Sequence, residues 1–328
     1  VHAYVTNEIG VGTVTVIGGV TSPLFQVAGG TLTVNGNLVT IPFLASLTLE
    51  HSLLHVLNGG IVIANADVVN VGGTLDTGGA PIIDLRGRGS MTAAETVAGN
   101  DLTLGTDRPL RGPGTCPSSC QLAHSIINAD GATITTAQAV RLDTALLEAT
   151  APLINMLASS QMTSNSDLIN LANQAKLVGT MVSGDALVML NNSTLNVTGS
   201  LFNVAGGSYL NVTGNLLSLA NGSALTITNG ALVALSGGSV FTLTNGSFGV
   251  FSGTSSTITL PTSLSGYTVN TTVIPGYGVA LAGGATTAQI SLPGTFTPFG
   301  AGGAVTAGGI VLKIADNASK VRLCTSGC

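Results

Sequence analysis

Charged residues are scarce in this 328-residue chain. Only 7% of the residues are Asp, Glu, Lys or Arg, against about a quarter in a typical soluble domain. From Ala186 to Leu312 the sequence contains none of these four types. The formal net charge is −5, and the absence of a basic stripe argues against nucleic-acid binding. A surface so poor in charge is weakly protected against association, which favours a chain that assembles with others.

Long apolar runs are also missing. Asn, Gly, Ser or Thr interrupts every apolar stretch before it reaches the roughly 18 residues of a membrane-spanning helix, so no membrane insertion is expected. The chain is nonetheless 45% hydrophobic, and its apolar residues are regularly placed, which is not a disordered composition. It begins at Val1 without a signal segment. We therefore expect a mature chain that was exported and lost its signal.

A tandem repeat of 15 or 16 residues dominates the sequence. Five units run from Ser183 to Leu260, and each contains an apolar tetrad, a turn rich in Gly, Asn and Ser, and an alternating strand. Alternation with period two indicates strands, and a fixed repeat of this length indicates a solenoid. Earlier tetrads start at Leu24, Leu38, Leu53, Val68, Ile82, Ile126, Val140, Leu153 and Leu168.

The fold class predicted from this repeat is all-β. We expect a β-solenoid (parallel β-helix) of about 15-residue coils, with a small C-terminal β module. One unit per coil would give some 14 to 16 coils and a rod roughly 70 Å long, at roughly 4.8 Å per coil. Residues Gln138 to Thr180 contain good helix formers. The tetrads at Leu153 and Leu168 keep the repeat phase, however, so strands are predicted there as well.

Alternation within each tetrad predicts which side chains face the core. Positions two and four should point inward and position three outward. Position one lies at a corner, where it either tucks in or forms an exposed apolar ridge. Asn at equivalent outward sites can form hydrogen-bonded ladders. Position three is usually polar: Gln26, Thr40, His55, Asn70, Asp84, Asn128, Asn155, Asn170, Asn203 and Ser218.

The segments outside the regular phase define the expected domain organisation. Residues 1–20 form an N-terminal strand that serves as a cap or an exchange arm, and residues 21–260 form the solenoid. A charged insertion that contains cysteine interrupts the solenoid at 95–124. Residues 261–328, punctuated by prolines, form a C-terminal β cap or assembly module.

Four cysteines occur as two Cys-x-x-x-Cys pairs in the irregular segments. An even number in an exported chain favours disulfides. Zinc is the weaker alternative, because its usual spacing is Cys-x-x-Cys. Pairing within each motif is the simplest connectivity, although three pairings are open. The predicted disulfide residues are Cys116, Cys120, Cys324 and Cys328.

No catalytic, cofactor-binding or metal site is predicted. Asp84, Arg86 and Arg88 lie together, as acidic and basic residues do in β-helix lyases and hydrolases, but glycoside hydrolysis requires paired carboxylates. No two carboxylates recur at matching positions on adjacent units. An ion pair that anchors the insertion is the favoured interpretation, and no enzymatic activity is expected.

A short Thr-x-Thr array raises a different possibility. It consists of Thr226/Thr228, Thr242/Thr244 and Thr257/Thr259. Flat threonine arrays on small solenoids suit ice binding. The array does not persist along the sequence, because the preceding units carry Asn196 and Asn211 at the equivalent positions. Ice binding therefore stays a minor alternative, beside polysaccharide cleavage.

The repeats resemble those of secreted β-solenoid surface proteins of the filamentous-haemagglutinin and autotransporter-passenger kind. The resemblance covers residues 21 to 260 and rests on units such as Gly214 to Thr228. It implies an extracellular or cell-surface location and a structural or adhesive role. The coil is shorter than is usual in that group.

The predicted function is therefore that of an extracellular structural protein. We expect a subunit of a self-assembling filament, sheath or appendage, whose head-to-tail partner is a second copy of the chain. A monomeric adhesin or a rod that binds surface glycans is the alternative. Strand addition at an exposed edge would join the copies. The residues predicted to make this contact are Val11, Val14, Val16, Ile17, Ile310, Leu312 and Ile314.

Overall fold

Short β-strands are the main regular secondary structure in the described part of the chain. The computed structural model describes residues 13–15, 23–28, 31–34, 36–43, 45–57, 61–64, 67–77, 80–86, 90–93, 125–181 and 185–325. Within these residues the single helical element is a 3₁₀ helix, Thr287–Gln289. The described part of the chain contains no helix long and apolar enough to cross a membrane.

The described residues contain thirty-five strands, which are numbered in chain order. Those before residue 137 are β1 (Thr13–Thr15), β2 (Phe25–Ala28), β3 (Thr31–Val34), β4 (Val39–Ile41), β5 (Ser46–Thr48), β6 (Leu54–Leu57), β7 (Ile61–Ala64), β8 (Val69–Val71), β9 (Thr74–Asp76), β10 (Pro81–Arg86), β11 (Ser90–Ala93), β12 (Ile127–Asp130) and β13 (Thr133–Thr136). Those up to residue 227 are β14 (Gln138–Asp143), β15 (Leu146–Ala149), β16 (Ile154–Leu157), β17 (Gln161–Ser164), β18 (Ile169–Ala172), β19 (Lys176–Thr180), β20 (Ala186–Asn191), β21 (Thr194–Val197), β22 (Phe202–Val204), β23 (Tyr209–Thr213), β24 (Asn215–Ala220) and β25 (Ala224–Ile227). The last are β26 (Val233–Leu235), β27 (Val240–Thr244), β28 (Gly249–Ser252), β29 (Ser256–Thr259), β30 (Thr268–Ile274), β31 (Tyr277–Leu281), β32 (Ile290–Ser291), β33 (Gly303–Val305), β34 (Ile310–Ile314) and β35 (Lys320–Cys324).

The strands stack in parallel on four faces, which the chain visits in a fixed order. Face 1 carries β2, β6, β10, β14, β18, β22 and β26. Face 2 carries β3, β7 and β11 as one sheet and β15, β19, β23 and β27 as another. Face 3 carries β4, β8, β12, β16, β20, β24 and β28, and face 4 carries β1, β5, β9, β13, β17, β21, β25 and β29. The β-solenoid predicted from the repeat is confirmed, with about eight coils.

The predicted coil length is wrong by a factor of two. Phe202 pairs with Val233 on face 1, whereas Leu217, from the unit between them, pairs with Gly249 on face 3. Two 15-residue units therefore make one coil. From residue 125 to residue 260, equivalent residues on neighbouring coils are 27 to 34 positions apart. Four strands can enclose the inward side chains from all sides, whereas two short strands cannot. About eight coils at roughly 4.8 Å each span roughly 35 Å, about half the expected length.

The predicted facing of the tetrads is confirmed. Phe202 and Val204 are completely buried and Asn203 between them is half-buried. The corner residue at position one tucks inward, because Leu201, Leu216 and Leu232 are all 0% exposed. The region from Gln138 to Thr180 forms strands β14 to β19, as predicted. One continuous apolar core therefore runs along the axis of the solenoid.

Buried serines stack at two corners of the coil. At the corner between faces 3 and 4, the backbone N–H of Ser193 donates to Ser223 Oγ (3.2 Å), and the N–H of Ser223 donates to Ser256 Oγ (3.1 Å). Ser208, Ser239 and Ser319 repeat this pattern between faces 1 and 2. The turn before Ser239 needs two consecutive residues with positive φ, Gly237 (65°) and Gly238 (74°), which glycine supplies without steric cost.

The C-terminal residues extend the same sheets in an order that departs from the sequence. On face 1 the strand order is β26, β34, β31, β30, so β34 lies between coil seven and a strand that precedes it in the chain. On face 2, β35 lies in the same way between β27 and β32. On both faces, a strand late in the chain therefore lies between the solenoid and an outer strand that comes earlier in the chain. Residues 261–325 thus pair directly with the solenoid instead of forming a sheet of their own.

Candidate functional site

Five titratable residues of the solenoid lie together on one patch of face 1. Asp84 on β10 is paired in register with His55 on β6 and with Arg141 on β14, so the three outward side chains are neighbours. Arg86 Nε donates to both carboxylate oxygens of Asp84, at 3.0 and 2.9 Å, and Arg86 Nη2 lies 2.7 Å from Asp84 Oδ2. Arg141 contacts Asp143 at 3.5 Å. We call these five residues the charged patch.

Burial and mutual contact shift the pKa values of two residues of the charged patch, His55 and Arg86. Burial lowers the pKa of the His55 imidazole; the nearby Asp84 opposes this effect and the two arginines add to it. The hydrogen bond to Asp84 raises the pKa of the Arg86 guanidinium. Asp84 is only 3% exposed although it is on the outer side of its strand. Its carboxylate is enclosed by its neighbours and held by a bidentate arginine.

This geometry is that of an internal ion pair. A general acid or base must come within hydrogen-bonding reach of a substrate, whereas the Asp84 oxygens are buried and already accept from Arg86. The predicted Asp84–Arg86 ion pair is confirmed. Arg88 and the 95–124 insertion, which the pair was expected to anchor, lie outside the described residues. Two positive and two negative side chains also leave the patch without a net charge for recruiting an ionic ligand.

Asparagine ladders form on two separate faces, as predicted, and the one on face 1 adjoins the charged patch through the pairing of Arg141 with Asn170. On face 3, Asn155 Nδ2 donates to Asn128 Oδ1 (3.0 Å), and Asn128 Nδ2 donates to Asn70 Oδ1 (3.2 Å). On face 1, Asn203 Nδ2 donates to Asn170 Oδ1 (3.1 Å). These contacts connect neighbouring coils through their outward side chains.

The cysteine prediction stays a prediction. Cys324 is half-buried at the end of β35, while Cys116, Cys120 and Cys328 lie outside the described residues. Among the residues that the structure describes, no group of three or more His, Cys, Asp or Glu side chains could hold a metal ion.

The residues predicted to join subunits are placed within the chain's own solenoid where they are described. Val14 lies on β1, which pairs in parallel with β5. Ile310, Leu312 and Ile314 on β34 are 0% exposed, between β26 and β31. An exchange of either segment would have to break these pairings first. Val11, Val16 and Ile17 are outside the described residues.

The two ends of the solenoid differ, a feature that sequence patterns did not reveal. At the C-terminal end, β30 pairs antiparallel with β31. The rings of Tyr277, Phe248 and Phe299 pack together there: the distance between ring centroids is 4.8 Å for Tyr277–Phe299 and 6.2 Å for Phe248–Phe299. At the N-terminal end, β1, β2, β3 and β4 are the last strands of their sheets. This first coil carries Phe43, which is 70% exposed, and Leu24, which is 40% exposed.

Comparison with known proteins gives no relative. No protein-family model matches the chain, no curated protein matches it, and no solved structure matches it. The expected resemblance to secreted surface proteins therefore holds for the β-solenoid architecture alone.

Proposed function

We propose that this chain is an extracellular structural protein, a subunit that assembles with its own copies into a surface filament, sheath or appendage. The observation that carries the proposal is the first coil. Within the described residues its four outermost strands have no partner on their outer side, and Phe43 and Leu24 are exposed beside them. Unpaired parallel edges next to apolar side chains favour strand addition by another chain.

The proposed contact joins the N-terminal end of one copy to the C-terminal end of the next. The outermost strand at the C-terminal end of face 1 is β30, whose outer edge is also unpaired within the described residues. Because the two ends are different surfaces, the contact is heterologous and repeats without closing, which produces a filament. The scarcity of charge along the solenoid leaves little electrostatic repulsion between copies.

Sedimentation velocity and negative-stain electron microscopy of the full chain test this function. Wild-type protein should sediment as a polymer whose size rises with concentration. Phe43→Glu places a charge in the proposed contact and should shift the protein to the monomer. Tyr209→Glu is the matched control, because Tyr209 is 40% exposed in the middle of face 2, away from both ends. This variant should polymerise like the wild type.

A wild-type chain that stays monomeric at high concentration would contradict the proposal. The monomeric adhesin or glycan-binding rod would then replace it, and screening against surface glycans would be the next experiment. Polymers that survive Phe43→Glu but are lost in Tyr209→Glu would place the contact on the side of the solenoid and would also overturn the proposed geometry.

A further inference from the structure

Face 4 presents a threonine array that the order of the sequence conceals. The second strand of successive 15-residue units lies alternately on face 2 and on face 4. Threonines that follow one another in the sequence therefore belong to two different surfaces. Thr242 lies on face 2, for example, whereas Thr226 and Thr257 lie on face 4. From β5 to β29, seven successive strands of face 4 offer fourteen outward positions, of which nine are threonine. The nine are Thr48, Thr74, Thr133, Thr135, Thr163, Thr194, Thr226, Thr257 and Thr259.

These threonines form two straight rows. One row continues from Thr135 to Thr163 and, past Asn196, to Thr226 and Thr259, each paired in register with the next strand. None of the pairings from β5 to β29 on this face contains a bulge. Neighbours are therefore about 4.8 Å apart along the axis and about 6.7 Å apart along each strand. The whole array extends about 29 Å along the axis.

The hydroxyl groups of the array are available for hydrogen bonding to a ligand, and their orientations are restricted. Within the described part of the chain, none of the nine hydroxyls makes a side-chain hydrogen bond, whereas the buried Thr77 and Thr136 hydroxyls bond to each other at 2.8 Å. A β-branched side chain has restricted rotamers, and the residues between the threonines are core residues such as Ile134 and Leu195, at most 1% exposed. Each position therefore offers one hydroxyl and one methyl group in a fixed orientation.

We propose that face 4 binds the surface of crystalline water, that is, ice. Both repeat distances of the array are of the size of the spacings between oxygen atoms on an ice surface. Fixed hydroxyl groups on such a grid can hold water in an ice-like order, and the methyl groups between them favour release of the remaining water. Binding would require no charge, and Asp76 is the single charged residue among the fourteen positions.

Other occupants fit this face less well. It has no aromatic side chain on which a sugar ring could stack, and it lacks the large aromatic, Met and Arg anchors of protein interfaces. Without basic residues it has no footprint for nucleic acid. The inference is independent of filament formation, because it concerns a side of the solenoid and not its ends.

Thermal hysteresis of a single ice crystal and partition of the full chain into slowly growing ice test this proposal. Wild-type protein should change the shape of the growing crystal, slow its growth and become enriched in the ice fraction. Thr163→Tyr, in the middle of one row, should reduce both effects several-fold, and Thr226→Tyr, two coils away, should do the same. Thr242→Tyr is the matched control, because Thr242 is an equally half-buried threonine on face 2. It should behave like the wild type, and thermal melting checks that each variant folds.

Three results would overturn the proposal. The first is a wild-type chain that growing ice excludes as it does an unrelated soluble protein. The second is a folded Thr163→Tyr or Thr226→Tyr variant with undiminished hysteresis. The third is retention on crystalline cellulose or chitin, but not in ice, which would assign the face to a polysaccharide.

Discussion

At the scale of single residues, neighbouring positions along one strand have opposite environments. Ser218 and Leu219 are consecutive, yet Leu219 is 0% exposed and Ser218 lies on the outer side. Alternation in the sequence was sufficient to predict this facing. It could not predict the enclosure of Asp84, because that depends on His55 and Arg141, residues of other coils.

The negative charge of ionised Asp167 destabilises the folded state. Its Oδ1 accepts a hydrogen bond from the backbone N–H of Ser200 (2.7 Å), but burial outweighs this bond and raises the pKa of the Asp167 carboxyl. The folded state therefore holds the proton more tightly than the unfolded state. Ionisation of Asp167 lowers stability as the pH rises from the ordinary carboxyl value through the raised folded value.

We predict that Asp167→Asn is more stable than the wild type at pH 7, because the amide oxygen can accept the same bond without a buried charge. The gain should disappear below about pH 3, where the wild-type carboxyl is protonated in both states. Denaturant unfolding at several pH values measures this. Asn215→Asp is the reverse control, since Asn215 Oδ1 accepts from the Ser247 N–H (3.0 Å). A less stable Asp167→Asn at pH 7 would refute the assignment.

At the scale of elements, the repeat predicted the strands but not which strands stack on one another. Consecutive units look alike, because each contains an apolar tetrad and an alternating strand. One signal of the two-unit coil was present. His55, Asp84 and Arg141 occupy equivalent positions in alternate units, whereas the matching positions of face 3 hold uncharged residues: Thr40, Asn70, Asn128 and Asn155. The buried serine stacks also escaped prediction, since serine in a turn is ordinarily assigned to the surface.

Ser223 tests the serine stacks. Ser223→Ala leaves the buried N–H of Ser193 without an acceptor and removes the 2.6 Å bond from Ser223 Oγ to the Ala220 carbonyl. We expect a loss of about 1–3 kcal/mol in the free energy of unfolding, the usual cost of an unsatisfied buried polar group. Ser218→Ala, on the outer side of face 3, should cost much less in the same denaturant titration. Equal losses would show that the stack contributes no specific stabilisation.

At the scale of the whole molecule, the C-terminal strands complete a layer that the preceding residues leave open. β31 and β32 attach to the solenoid through β34 and β35, which come later in the chain. The cap therefore depends on the end of the described chain for its attachment. Sequence patterns set residues 261–328 apart because prolines interrupt them. They could not show this order, which arises from pairing between distant segments.

One coil consists of two 15-residue units, whose strands lie on four faces. This arrangement makes Asn170 and Asn203 adjacent on face 1 and puts Ser218 on face 3. The Cα atoms of Asn170 and Asn203 should then be about 4.8 Å apart, within the range that a disulfide spans. In a solenoid of 15-residue coils, Asn203 and Ser218 would be the adjacent pair instead.

Oxidative cross-linking of paired cysteine variants tests which units are stacked on one another. The full chain would carry either Asn170→Cys with Asn203→Cys, or Asn203→Cys with Ser218→Cys, and peptide mass spectrometry would identify each bond. The four-face coil predicts rapid bond formation in the first pair and none between the engineered cysteines of the second. A bond between positions 203 and 218, with none between 170 and 203, would show instead that each 15-residue unit forms a coil of its own.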